Sequence, residues 1–288
     1  MDEKIINKGM MTLRWMVRGE KITGEINKER NVECQDRMYS IVEDDFSCIA
    51  LADGAYSAEC GGLGAQAACE AVCRIMQDKF DYLYELSEEN IKYYVLCAVV
   101  RSFRKIILEK DIKLKDLGST LLFTSVKGDK YISMLLGDGF IIKNMKDYSE
   151  YLLYEKNAQN INGIKKKHLT SSPMCYLHAH VNKGEIHDTQ SFFMCSDGLY
   201  DNVNVKDEEE LKENIQTIMD SRIYGPRDNK NRSQLTTDNK YSHNIYNNKK
   251  ITNELYINAQ RNDDGADKEV GNDLYADDGS YIALFKEL

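Results

Sequence analysis

Asp53, Asp138 and Asp197 each close an apolar, β-rich run and precede a glycine, in SCIALADG, YISMLLGDG and SFFMCSDG. A single Asp-Gly is an ordinary turn signal. Three strands that end alike set up different chemistry if their ends share one rim of a sheet, because carboxylates drawn together repel and need an opposing charge. A hard divalent cation with oxygen ligands supplies it.

The segments around these acids have the periodicities of α and β elements. Between Ala58 and Phe80, residues Ala68, Ala71, Val72, Ile75 and Met76 recur at helical spacing, so the Gly-rich break after Asp53 leads into a helix. SEEN, Ser87 to Asn90, offers a cap and first-turn acids, and Ile91, Tyr94, Val95, Ala98, Val99, Ile106 and Ile107 trace one apolar face of a second helix. LLFTSV, YISMLL and FIIKNM, separated by KGDK and GDG, read as a meander of three antiparallel strands. Residues 144–190 mix turn signals with short apolar pieces. DEEELKENIQTIM, Asp207 to Met219, has the pattern of an acid-capped amphipathic helix, and ITNELYINAQ that of a last helix before the strand in DDGSYIALF. Arg227 to Lys250, rich in Asn, Lys and Asp, has too few apolar residues to offset its ordering entropy and reads as a mobile surface insertion at 227–250.

Composition narrows the class. A chain of 288 residues, 42% hydrophobic and 30% charged, reads as one domain over residues 1–288 with an ordinary globular core. The net charge of −9 argues against a nucleic-acid partner. No run is apolar for long enough to cross a bilayer and MDEKIINKGM lacks the apolar core of a signal peptide, so a cytoplasmic location with no membrane partner is expected. The eight cysteines are then reduced thiols, mostly small core residues, with no C-x-x-C pair to hold zinc. Oligomeric state is not legible.

In order, CQD (Cys34 to Asp36), ADG (Ala52 to Gly54), GST (Gly118 to Thr120), GDG (Gly137 to Gly139), SDGLYD (Ser196 to Asp201) and DDGSYIAL (Asp277 to Leu284) resemble the motif set of the metal-dependent protein phosphatase 2C family, compact bacterial branch. The resemblance implies an α+β fold, a four-layer αββα sandwich of two mainly antiparallel sheets flanked by helices. It implies a phosphoserine/phosphothreonine protein phosphatase that uses two Mn2+ or Mg2+ ions and a bridging hydroxide for direct hydrolysis, with no phosphoenzyme. Its partners would be phosphorylated proteins and a Ser/Thr kinase counterpart. By the same resemblance Asp53 bridges the two ions, the Gly54 carbonyl joins the second, and Asp197 and Asp278, rather than Asp277, complete the first. Asp36 holds metal-bound waters, and Asp138 and Asp201 belong to a third, looser ion.

The chain departs from the family in several places. Ala55 stands where many eukaryotic members carry a histidine proposed as general acid, leaving water to donate that proton. The arginine that usually grips the substrate phosphate has Arg30, one residue out of register, or Lys28 as its candidate here. Gly139 replaces the familiar serine of GDS, and Gln35 holds the family's acidic position, with Glu33 nearby. Other sites weigh less. His178 and His180 would share one face of a strand but lack further zinc ligands. A calcium loop around Gly265 fails, with Gln260 and Gly271 at its first and last ligand positions. Cys34 beside Asp36 reads as a packing residue whose thiol a nearby anion makes less acidic. A haloacid-dehalogenase-like phosphatase would need an acid two residues after its nucleophile, where Ala55, Phe140 and Leu199 stand. The remaining rival is a pseudophosphatase, a catalytically inactive phosphoprotein-binding module, against which the retained acids argue.

Overall fold

The computed structural model describes residues 14–29, 31–145, 149–155, 169–198 and 278–286. Ten strands form two five-stranded antiparallel sheets. The first has the order β1 (Trp15–Ile22), β10 (Gly279–Lys286), β9 (Thr189–Cys195), β6 (Gly139–Met145), β7 (Ser149–Glu155), and the second β2 (Arg37–Val42), β3 (Phe46–Ala52), β4 (Leu121–Lys127), β5 (Lys130–Leu136), β8 (His180–Glu185). A short helix, α1 (Glu25–Glu29), follows β1, and two long ones, α2 (Gly61–Glu85) and α3 (Glu88–Lys110), lie outside the second sheet, α2 across β2, β3 and β4 and α3 against β8.

Two antiparallel sheets flanked by helices is the expected fold class, and the alternation of side chains along each strand explains the layering. On β3, Cys48, Ala50 and Ala52 face the helices while Ile49 and Leu51 face the other sheet. β4 divides likewise, with Leu121 and Phe123 toward the helices and Leu122 and Val126 between the sheets. Covered on both sides, β3 is buried throughout, which is why its sequence is a continuous apolar run rather than an alternating one. Small residues let α2 come close: its buried stripe runs Ala65, Ala68, Cys69, Val72, Cys73, Met76 and Phe80. The Ser87 hydroxyl caps α3 by accepting from the Asn90 N–H, as its sequence suggests. All eight cysteines lack disulfides.

Two expectations need correction. The three-strand meander is a β4–β5 hairpin followed by a departure: β6 leaves for the other sheet and pairs with β7 and β9. Gly137 and Gly139 adopt φ of 86° and 137°, a region closed to most side chains, and this break at GDG carries the chain across the sandwich instead of turning it back. His178 and His180 do not share a strand face, since His178 ends a 3-10 turn (Cys175–His178) and His180 opens β8. The helices read at 207–219 and 251–260, the insertion at 227–250, and Arg30, Asp201 and Asp277 lie outside the described residues.

Candidate metal centre

Strand register alone gathers the acids. β3 and β5 both pair antiparallel with β4, so they run the same way and end on the same rim, followed by Asp53 and Asp138. Arg37 pairs with Ala52, which sets Asp36 beside Asp53. The crossing at Gly137–Gly139 starts β6 at that same end, where Phe140 pairs with Cys195 at the end of β9, and Tyr281 near the start of β10 pairs with Cys195 from the other side. Asp197 and Asp278 therefore arrive at the rim from the first sheet.

Asp36 lies at the centre of this convergence and is fully buried. Its Oδ2 accepts from Ser280 Oγ at 2.5 Å and Ser196 Oγ at 3.0 Å, so one carboxylate from the second sheet is held by two hydroxyls from the first. Its Oδ1 is inaccessible to solvent and meets no hydrogen-bond donor among the described residues. Burial pushes its pKa up to about 6, the Ser280 and Asp53 contacts pull it down, and the charges of Asp278 and Asp197 raise it again. Asp36 thus feels three other sequence-predicted acids. Asp138 is buried on the same rim.

Asp53 and Asp278 each have their own support. The Asp53 N–H donates to Thr120 Oγ1 at 2.9 Å and the Thr120 N–H returns a bond to the Asp53 carbonyl at 2.9 Å, while the Ala55 N–H donates to Gly118 O at 3.0 Å. That is the use the fold makes of GST: it pins ADG. Gly54 is required by space, since a Cβ there would lie 2.4 Å from the Gly61 carbonyl carbon where the loop meets the start of α2. Asp278 accepts from the Gly24 N–H at 2.7 Å and the Gln35 N–H at 2.5 Å, and from Asn27 Nδ2 at 2.9 Å, so its carboxylate docks α1 and the CQD loop. Gln35 also ties that loop to α2, its Oε1 accepting from the Gly62 N–H at 2.9 Å.

Lys28, exposed on α1, rides on the helix that Asp278 anchors. Sequence reasoning passed over Arg37, whose Nη1 donates to the carbonyls of Cys34 and Asp36 and fixes the loop between them. It also gave no role to Ser196, Ser280, Thr120, Gln35 or Asn27. The first four sit inside the quoted motifs, which was the available signal. Cys34 is buried, and burial first, then Asp36 and Asp278, push its thiol pKa up, as its neighbours suggest from sequence.

A cluster of buried carboxylates, one with an oxygen that no donor meets, fits a divalent cation, and oxygen donors suit Mg2+ or Mn2+. A family model described as protein phosphatase 2C matches residues 23–234. No curated protein sequence matches the chain. Among solved structures it is similar to a bacterial serine phosphatase, with a TM-score of 0.56 at 11% identity over 94% of this chain and 97% of that one. It is similar to serine/threonine phosphatase Stp1 from Staphylococcus aureus, at 0.54 and 12% over 94% and 95% of the two chains. RsbX in complex with magnesium gives 0.52 and 12% over 95% and 96%. At such identities these likenesses speak to the fold.

Proposed function

The chain belongs to the protein phosphatase 2C family, a family of protein serine/threonine phosphatases that act on phosphoproteins with the help of metal ions, and we propose that it hydrolyses phosphoserine and phosphothreonine esters directly, without a phosphoenzyme. The observation that carries this reading is the buried Asp36 carboxylate, with Asp53, Asp197 and Asp278 acting on it at one end of the sandwich. At neutral pH a cation relieves the repulsion in such a grouping. When bound, Mn2+ or Mg2+ supplies a nucleophile at neutral pH and neutralises charge on the phosphoryl oxygens.

The chain's own residues then have distinct tasks. Asp53, Asp197 and Asp278 would hold two ions together with the Gly54 carbonyl, Asp36 would orient water around them, and Asp138 with Asp201 would serve a third. Thr120 fixes the backbone of Asp53, and Ser196 and Ser280 fix the Asp36 carboxylate, so the ligands are oriented before an ion arrives. Lys28 or Arg30 would meet the substrate phosphate. Ala55 offers no proton, so the leaving alkoxide takes one from water.

The proposal extends to one domain over residues 1–288, an insertion at 227–250 that leaves the centre intact, a Ser/Thr kinase counterpart and a cytoplasmic location. No helix among the described residues is long and apolar enough to cross a membrane.

The test is hydrolysis of p-nitrophenyl phosphate and of a phosphothreonine peptide by metal-loaded protein. The aryl ester, whose leaving group needs little protonation, is hydrolysed faster than the peptide, and chelator stops both. Pure, metal-loaded protein that binds phosphopeptide yet hydrolyses neither substrate above the Asp53→Asn background would make it a pseudophosphatase.

A further inference from the structure

One group at the rim has no task in hydrolysis. Cys34 Sγ and carboxylate oxygens of Asp36 and Asp278 all lie within 4.8 Å of one another, and all three residues are buried. A tetrahedral zinc site with ordinary Zn–S and Zn–O bonds sets its ligand atoms about 3.5 Å apart. The cluster therefore needs to contract by roughly 1 Å; residues 32–36 belong to no helix or strand, so the movement falls on the loop that Arg37 and Gln35 tie down. A second observation also points to a cation, namely the Asp36 Oδ1 that is buried and meets no donor among the described residues. The Asp278 carboxylate is oriented by Gly24, Gln35 and Asn27 in the way that outer hydrogen bonds fix metal ligands.

Resting on the metal-centre reading above, we propose that Cys34, Asp36 and Asp278 form an inhibitory site for thiophilic divalent ions, Zn2+ first among them. Mg2+ and Mn2+ prefer oxygen and ignore a thiol, whereas Zn2+, Cd2+ and Co2+ accept a thiolate together with carboxylates. Zn2+ entry displaces the Cys34 thiol proton to solvent and forms one Zn–S bond and bonds to the two carboxylates. Asp36 and Asp278 are thereby drawn away from the hard ions, so the same centre is active with Mn2+ and silenced by Zn2+. Its sensitivity lies in a cysteine that the hydrolytic reaction does not use.

The experiment reads ligation directly and needs no turnover. Metal-stripped full-length protein is titrated with Co2+ while thiolate-to-cobalt charge-transfer absorption is followed in the near ultraviolet. The expected result is a band that saturates at one ion per chain, is bleached by one equivalent of Zn2+, persists in Cys195→Ser, and is absent in Cys34→Ser. Cadmium NMR of the unmutated protein gives a check independent of folding of the variants, with a resonance shifted as one sulfur and several oxygens require. No band, a band unchanged in Cys34→Ser, or a cadmium resonance from oxygens alone would overturn the proposal. A protein that hydrolyses p-nitrophenyl phosphate with Mn2+ yet shows no band would lose this site and keep the phosphatase reading.

Discussion

The two sheets bring their acids to the rim by different means. On the second sheet, Asp53 is pinned by Thr120, the one directly after β3 and the other directly before β4, adjacent strands of one continuous, helix-covered sheet. On the first, Asp278 directly precedes β10 and is held by Gly24, Asn27 and Gln35, 243 to 254 residues away. Asp36 joins the two halves, belonging to the second sheet but held by Ser196 and Ser280 of the first. The lesson is that half of the centre is built into a hydrophobic core, while the other half exists only when the chain ends meet. Disturbing the support of Asp53 should cost stability, and disturbing the support of Asp278 should cost metal binding.

The largest expected effect is at Asp53, the acid assigned to both ions. Asp53→Asn should abolish turnover with the fold intact, whereas Asp138→Ala should leave tight metal binding and slow the reaction, as calorimetric metal titration and circular dichroism would report. Equal loss of tight binding in both variants would erase the distinction between inner and peripheral acids.

Next comes pH. Asp36 has a folded-state pKa of about 6, above the ordinary carboxylate value, so between about pH 4 and 6 the folded metal-free protein holds a proton that the unfolded chain has released. Stability without metal should therefore rise as pH falls from 7 through 6 and level off near 4, by roughly 3 kcal/mol from this group. Metal binding needs the carboxylates ionised, so added Mn2+ should invert the trend. Melting curves in chelator and in Mn2+ at several pH values measure both, and a metal-free protein that grows steadily less stable below pH 7 would count against the crowded rim.

Smaller effects separate the two halves. Thr120→Val leaves the buried Asp53 N–H without its acceptor and should cost about 2 kcal/mol in denaturant unfolding of the metal-free protein. Asn27→Leu removes one of three donors from Asp278 at a partly buried position and should cost about 1 kcal/mol or less. That variant should instead weaken metal binding by about tenfold. Were Asn27→Leu the more destabilising of the two, the contrast between a core-built and an end-assembled half would fail.

Much of the fold was legible because its signals are local. The stripe that became α2, the Ser87 cap of α3 and the apolar runs of β3, β4, β5 and β9 follow from periodicity, since each element must bury one face or both. The meander reading failed at β6 because apolar runs separated by turn residues say that a strand starts, not which sheet it joins. Gly137 and Gly139 permit the positive φ values there, but glycine also serves hairpin turns, so the letters alone are ambiguous.

The candidate site divides along the same line. By itself, the sequence determined the repeated strand-to-Asp-Gly pattern and the ordered motifs that mark the family, because these depend on neighbouring residues. Only the tertiary structure decided that Ser196 and Ser280 both reach Asp36, that Gly24, Asn27 and Gln35 converge on Asp278, and that Cys34 lies within ligand distance of two carboxylates. The physical reason is that hydrogen bonds and metal coordination act over a few ångströms, whatever the separation along the chain. Strand pairing and sheet packing alone bring residues near the two chain ends within that range.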